Sequence, residues 1–344
     1  MAGLYGTDYV ETLRQGVARA IGDWGFSPHA EVALITVSEN ATFRVSEPAG
    51  GRTGVFRVYR QGYHSRAEIL SELAWIEAVR NDAVVRTPAL LQRRDGQRLG
   101  VLPDGREVAA FAHAPGQEPR PDEPLEPAFH ALGAITARLH AHARRWQPPA
   151  GFQRKRWDWD TCVGPRAHWG DWRNALGLSP EGTALLGRTA EALRHRLGIY
   201  GTAAARFGLI HADLRLANLL VDGTTLTVID FDDCGFGWHG FDFAAAISFF
   251  ETDPQIPALE AAWLEGYRTV AELAPEDAAM LPVFVMLRRL QLTAWIASHR
   301  ETPTASELGA DYTTGTLTLA ERFLAAPSGR SRSGSGVSSA PARG

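Results

Sequence analysis

The stretch that decides the fold is 209-LIHADLRLANLLV-221, followed after a short turn by 228-VIDFDD-233. Asp213 and Asn218 stand five positions apart in a loop between apolar segments, and Asp230 ends the next apolar segment. Magnesium-dependent phosphoryl transfer needs one carboxylate that positions an acceptor hydroxyl, together with an amide oxygen and a second carboxylate that hold the metal on the phosphates. The spacing therefore predicts a phosphoryl-transfer site, with Asp213 as the base and Asn218 and Asp230 as metal ligands.

Length and composition exclude several classes of protein. A chain of 344 residues exceeds the usual size of one hydrophobic core, so two lobes are expected. The net charge of −4, without a dense block of Lys and Arg, argues against nucleic-acid binding. Cys162 and Cys234 are the two cysteines and form no CxxC pattern, which indicates neither a disulfide framework nor a zinc site.

The N-terminal residues and the apolar runs of the sequence predict the cellular compartment. Residues 1–10 contain Asp8 and lack the apolar segment of a signal peptide. The most apolar run, 241–250, contains Asp242 and is too short to span a bilayer. The sequence therefore predicts a cytoplasmic protein with no membrane partner.

Periodicity divides the chain into a sheet-rich part and a helical part. An early helix is predicted from Asp8 to Ile21 and an amphipathic one from Ser65 to Arg80, within an antiparallel sheet of short β-rich runs at 32–37, 42–45, 55–59, 99–102 and 108–111. Helical patterns follow at 129–139, 185–197 and 281–296. A hairpin at 219–229, turning at Asp222-Gly223, interrupts them.

This layout predicts an α+β, protein-kinase-like fold of two lobes. The small lobe is an antiparallel sheet with one helix, expected over residues 1–112 and binding the nucleotide. The larger, helical lobe is expected over 113–326, with the catalytic loop and the substrate site. Residues 327–344 are rich in Ser, Gly and Arg and are expected to form a disordered tail.

The motifs resemble those of a known superfamily. The loop 211-HADLRLAN-218 resembles the HGDxxxxN loop of the aminoglycoside phosphotransferase and choline kinase-like superfamily, which includes homoserine kinase-like and bacterial stress-response kinases. Residues 229–232 resemble the metal-binding counterpart of the protein-kinase DFG segment, and the similarity extends over roughly residues 32–323. The resemblance implies an ATP-dependent kinase with Mg²⁺ as its metal. It also implies that His211 and Asp242 support the loop.

The resemblance extends to the nucleotide-binding lobe. Kinases carry a cation on the third strand that grips the phosphates and is held by a helix carboxylate, and Arg57 and Glu72 occupy these positions. The superfamily more often has Lys in place of Arg57. The loop covering the phosphates is expected between the first two strands, and Phe111 lies in the expected hinge that reads adenine. The polar side chains of that loop are Ser38, Asn40 and Thr42.

The acceptor side has weaker signals. Arg215 is either a solvated loop residue or a cation that stabilises the transferred phosphoryl group. Asp232 and Asp233 are either surface charges or contacts for a second metal or an amine. Trp157 and Trp159 belong to a segment that mixes aromatic and acidic residues. Any one of these tryptophans is best explained by packing, but the cluster as a whole favours a cationic small-molecule acceptor.

Two interpretations remain open at this point. The first is an ATP-dependent kinase that phosphorylates a hydroxyl of a small, amine-bearing molecule, with a protein Ser/Thr kinase of the stress-response type as its near neighbour. The second is a weak pseudokinase that binds nucleotide as a scaffold, which Arg57 and the glycine-poor loop favour. The complete set of Asp213, Asn218 and Asp230 favours the enzyme, and a metal-dependent hydrolase has little support.

Overall fold

A computed structural model describes residues 6–326 of the chain. Its first part is a six-stranded sheet. The strands are β1 Glu31–Val37, β2 Ala41–Ser46, β3 Thr53–Val58, β4 Leu90–Leu91, β5 Leu99–Val101 and β6 Glu107–Ala112. Their order is β1-β2-β3-β6-β4, β5 also pairs with β6, and every neighbouring pair is antiparallel.

Two helices accompany this sheet. α1 Thr7–Ala20 buries Leu13 and Val17 in a small core against one face of the sheet. α2 Arg66–Asn81 begins at a capping box, in which Ser65 and Glu68 satisfy each other's backbone N–H groups. Its apolar face packs into a larger core that continues through the helical part of the chain.

The remainder is mostly helical. Its helices are α3 Glu126–Arg145, α4 Trp159–Cys162, α5 Pro180–Tyr200, α6 Phe241–Ala246, α7 Ile256–Arg268, α8 Pro275–Ala278, α9 Leu281–Ser298 and α10 Pro303–Ala325. α3 and α7 approach so closely that a Cβ on Gly133 would lie 2.0 Å from the Trp263 carbonyl oxygen. Only glycine therefore permits this crossing.

Two small sheets position the loop at 211–218. β7 Arg156–Trp157, β11 Gly235–Trp238 and β8 Phe207–Ile210 form one of them, with β11 in the middle. β9 Leu219–Asp222 and β10 Thr225–Val228 form the predicted hairpin. Because β8 ends at residue 210 and β9 begins at 219, both ends of the loop are fixed by hydrogen-bonded strands.

One segment, Pro275–Ser298, is apolar and long enough to cross a membrane by length and composition. Of the most apolar 18-residue stretch in this segment, 78% is buried inside the protein. This burial is typical of a core helix, because a helix in lipid would present its apolar side chains outward.

The structure confirms the predicted α+β architecture, with an antiparallel sheet preceding a helical part. The predicted helix from Ser65 to Arg80 and the hairpin at Asp222-Gly223 are found within a residue or two of their predicted limits. The limits of the predicted lobes at 112 and 326 stay predictions, and α2 shares its core with the helical part. The tail predicted at 327–344 lies outside the described residues.

Candidate active site

Asp242 and His211 hold the loop that carries Asp213. Asp242 is fully buried in the first turn of α6, and its carboxylate accepts the backbone N–H of Ala212 at 2.7 Å and of His211 at 3.4 Å. His211 is bonded to the Ile229 carbonyl at 3.2 Å and packs on the Phe231 ring. This loop-supporting geometry agrees with the role that the resemblance implied for both residues.

Asp213 is surrounded by donors. Oδ2 accepts hydrogen bonds from Arg215 Nε at 3.1 Å and from Asn218 Nδ2 at 2.7 Å, while Oδ1 accepts one from Arg288 Nη2 at 2.8 Å. Burial opposes ionisation, but the Arg215 and Arg288 guanidinium groups outweigh it and hold the pKa of Asp213 below its ordinary value. Asp213 is therefore a carboxylate at neutral pH.

Asn218 and Asp230, the predicted metal ligands, border the same cavity. The amide nitrogen of Asn218 is committed to Asp213, which leaves the amide oxygen as the atom for a metal. Asp230 has a positive φ of 59°, a conformation that is strained for a residue with a side chain and recurs at functional sites. Its Oδ1 lies 3.1 Å from Arg57 Nη2 but receives no well-aligned hydrogen bond.

These two donors fit a magnesium ion carried by a nucleotide. Magnesium is usually bound through one or two carboxylates, and phosphate oxygens and water complete its shell. Among residues 6–326 no group of three or more His, Cys, Asp or Glu side chains is arranged to hold a metal unaided. Any metal here would depend on the nucleotide for the rest of its ligands.

Arg57 lies among three carboxylates. Nη1 of Arg57 is 2.6 Å from Glu72 Oε1 and 3.8 Å from Asp232 Oδ1, and Nη2 faces Asp230. Burial, which the Arg57 charge only partly offsets, raises the pKa of Glu72 to about 7. The sequence-predicted pair of strand cation and helix carboxylate is thus formed, and the guanidinium also reaches Asp230, the predicted metal ligand.

The loop between β1 and β2 closes onto the helical part through two side chains. Asn40 Nδ2 donates to Asp232 Oδ2 at 2.7 Å, and Glu39 accepts a hydrogen bond from Trp295 Nε1 on α9, also at 2.7 Å. Ser38 and Thr42 line the space beneath the loop. Asn40 is occupied with Asp232, so its side chain bridges the two parts of the protein.

A cavity of about 640 Å³ lies between the sheet and the helical part, large enough for a nucleotide and a small molecule. At its apolar end are Phe111 and the residues following β6. The backbone N–H of Ala112 donates to the Ala89 carbonyl, and the next positions, His113 and Ala114, border the cavity. Arg57, Asp213, Asn218 and Asp230 all border the same cavity.

The other end of the cavity is aromatic and acidic. Trp169, Phe249 and Trp295 form its walls, and Asp233 faces it. Asp233 Oδ1 accepts a hydrogen bond from Tyr63 at 3.0 Å. Burial, opposed in part by Lys155, raises the pKa of Asp233 to about 6.

Two side chains predicted to contact substrate, those of Trp157 and Trp159, are not among the residues that border the cavity. Trp157 is fully buried and donates to the Asp233 carbonyl, and Trp159 donates to the Ala190 carbonyl. The Trp157 side chain lies in the core, and that of Trp159 is partly buried against it. Asp232 borders a small polar recess together with Asp213, Asp230 and Asp233, and Asn40 and His64 contact it there.

Sequence reasoning missed Arg288, Glu39 and Trp295, whereas Trp169 belongs to the aromatic and acidic segment that the sequence indicated for the acceptor. The sequence does indicate that Arg288 is unusual, because a charged residue inside the apolar run 281–296 needs a buried partner. The partner itself was not readable, because it lies 75 positions away in the chain. Glu39 carried no signal distinguishing it from other loop carboxylates.

The chain is similar to known kinases. A family model described as "Phosphotransferase enzyme family" matches residues 33–273. A solved microcompartment-associated aminopropanol kinase is 44% identical, with a TM-score of 0.83, over 90% of this chain and 96% of that chain. The amicoumacin kinase of Bacillus subtilis (strain 168) is 24% identical over 292 residues, which are 80% of this chain and 82% of the relative.

A second solved structure supports the fold. An amicoumacin kinase in complex with AMP-PNP, Ca²⁺ and Ami is 20% identical, with a TM-score of 0.73, over 88% of this chain and 93% of that chain. The family model covers well over half of the chain, and the carboxylates, amide and strand cation that define the site all face one cavity. The chain therefore belongs to the phosphotransferase enzyme family and is a kinase that acts on a hydroxyl group.

Proposed function

We propose that this protein transfers the γ-phosphate of ATP, with Mg²⁺, to the hydroxyl group of a small amino alcohol. One observation carries the proposal: Asp213 borders the same cavity as Arg57, Asn218 and Asp230. ATP phosphates bound near Arg57 and an acceptor hydroxyl bound near Asp213 would therefore lie in the same cavity, where phosphoryl transfer between them is possible. When bound, the metal would neutralise charge on the phosphates.

Each polar group of the site then has a task. Arg57, held by Glu72, contacts the phosphates of ATP, while Asn218 and Asp230 hold the metal. Asp213 accepts a hydrogen bond from the acceptor hydroxyl and takes its proton late in the transfer. Arg215 is one-third exposed and lines the cavity, where its guanidinium stabilises negative charge on the transferred group.

The acceptor end favours a cation. Asp213 is neutralised by Arg215 and Arg288, whereas Asp233 forms no ion pair within 4 Å among the described residues. Glu39 lies close enough to add its negative field to that of Asp233. An ammonium group between the aromatic walls would offset the negative charge of Asp233 and Glu39. The aminopropanol kinase with 44% identity carries such a substrate in its name.

The direct test measures ATP consumption with a panel of acceptors. We expect turnover with 1-amino-2-propanol, ethanolamine or 3-amino-1-propanol, and transfer at least about 100-fold less efficient to 1,2-propanediol, because the diol lacks the ammonium charge. Aminoglycosides and homoserine complete the panel as larger and zwitterionic amines. Equal efficiency with the amine and the diol would contradict the proposed acceptor class.

A second prediction concerns Asp233. Replacement by Asn is expected to raise the KM for the amino alcohol about 10- to 100-fold and to leave the KM for ATP unchanged, because a charge-assisted contact worth about 1.5–3 kcal/mol is lost. The control is Asp222→Asn at the exposed hairpin turn. An unchanged KM for the amine in Asp233→Asn would remove this carboxylate from the acceptor site.

The same carboxylate gives a pH dependence. Its pKa is raised to about 6, so its charge is present above pH 6 and is lost as the pH falls through 6. The wild-type preference for the amine over the diol, measured as the ratio of kcat/KM values, is therefore expected to decline below pH 6. In Asp233→Asn the ratio should stay flat over the same range.

A further inference from the structure

Two arginines lie side by side inside the apolar helix α9. Arg288 and Arg289 are only 2% and 3% exposed, and a buried guanidinium must be paired and hydrogen-bonded to be tolerated. Arg289 is fully explained by structure, because it binds Glu251, Thr316 and the Tyr312 carbonyl and joins α9 to α10. Arg288 does not bind any of these groups.

The contacts of Arg288 lead to the catalytic loop. Its Nη2 donates to Asp213 Oδ1 at 2.8 Å, its Nε to Ser248 at 3.2 Å and its Nη1 to Gln291 at 3.3 Å. Its guanidinium carbon lies 4.9 Å from the centroid of the Trp169 ring. Within residues 6–326, Asp213 is the one carboxylate that forms an ion pair with Arg288.

The lone pairs of Asp213 show what this contact does. A carboxylate oxygen accepts two hydrogen bonds. Oδ2 already receives two, from Arg215 and Asn218, whereas Oδ1 receives one, from Arg288. The remaining acceptor position is therefore on Oδ1, beside the guanidinium of Arg288, which also borders the cavity.

We propose that Arg288 is a positioning residue that fixes Oδ1 of Asp213 as the oxygen that receives the acceptor hydroxyl. This inference rests on the proposed function. The guanidinium holds Oδ1 while Arg215 and Asn218 hold Oδ2, so that one acceptor position of the carboxylate is left, on Oδ1. It also places a positive charge beside the base, which directs an ammonium group toward Asp233 at the other wall.

The test is a double-mutant cycle on turnover with ATP and 1-amino-2-propanol. Arg288→Met is expected to lower kcat about 100-fold in the wild-type background, because a misplaced base loses alignment, with the KM for ATP unchanged. In the Asp213→Asn background the same substitution should lower kcat less than threefold, since Arg288 acts through the carboxylate. An equal fractional loss in both backgrounds would overturn the inference.

Two further variants separate positioning from folding. Arg288→Lys keeps the charge and is expected to retain about ten times the turnover of Arg288→Met; turnover no better than that of Arg288→Met would contradict the inference. Arg289→Met is the matched control. It should lower the melting temperature at least as much as Arg288→Met and leave kcat within about twofold.

A measurement without turnover distinguishes this inference from the proposed function. The Asp213 carboxyl resonance, identified by its loss in Asp213→Asn, is titrated by ¹³C NMR. Arg288→Met is expected to raise the pKa of Asp213, because an opposite charge is removed. If no acceptor is phosphorylated by the wild type, the proposed function fails while this titration still decides the role of Arg288; an unchanged pKa would refute it.

Discussion

Asp213→Asn is expected to lower kcat about 1000-fold while the KM for ATP stays within about twofold of wild type. The amide keeps the shape of the carboxylate but cannot accept the proton of the acceptor hydroxyl, a task worth roughly 10²–10⁴ in rate. Arg57 and Asp230 are not bonded to Asp213, and Asn218 keeps its hydrogen bond to the Asp213 backbone carbonyl at 2.8 Å in the variant, so ATP affinity should be preserved. Turnover is measured with labelled ATP and an amino alcohol.

The variant also leaves two cations without their carboxylate. Arg288 is buried and loses its one ion-pair partner, so the free energy of unfolding is expected to fall by about 3 kcal/mol. Thermal unfolding and nucleotide binding show whether the fold is retained. Asp222→Asn, the same substitution on the exposed hairpin nine residues away, should change neither turnover nor stability. Retention of more than a tenth of wild-type turnover by Asp213→Asn would remove this residue as the base.

Arg57→Met is expected to affect both stability and nucleotide binding. Glu72 is completely buried 2.6 Å from the guanidinium, and loss of the cation raises the pKa of this carboxyl further, so it becomes a protonated group without its partner, at a cost of about 1–3 kcal/mol. The KM for ATP should rise more than tenfold, because the phosphates lose the cation nearest to Asp230. Both effects are measured, by chemical unfolding and by steady-state kinetics.

Further substitutions separate the two roles of Arg57. Adding Glu72→Gln to Arg57→Met replaces a carboxyl that must take up a proton to stay buried with a neutral amide, so stability should recover in part while ATP affinity does not. Arg57→Lys, which restores the residue more frequent in the superfamily, should keep ATP affinity within about tenfold. Arg44→Met on the exposed face of the neighbouring strand is the control. Recovery of ATP affinity in the double variant would show that Arg57 serves the fold alone.

Local signals predicted much of the fold. The helix α2 was predictable because the capping box at Ser65 and the apolar spacing both lie within the segment. The hairpin was predictable from Asp222-Gly223, where Gly223 adopts a φ of 59°. The two-residue strand β4 and the pairing of β8 with β11 were not predicted, because β4 is too short to show a periodicity and the β8–β11 pairing joins segments that are separate in sequence.

The sequence by itself determined the kind of chemistry, because the order and spacing of Asp213, Asn218 and Asp230 are typical of a phosphoryl-transfer loop. All three residues lie within one short segment, so their types and spacing can be recognised without the tertiary structure. Only the tertiary structure decided which groups act on that loop from a distance. Arg288 reaches Asp213 across 75 positions and Trp295 reaches Glu39 across 256. The pairing of buried charges and the walls of a cavity depend on contacts between separate elements, and no periodicity or spacing along a single segment encodes them.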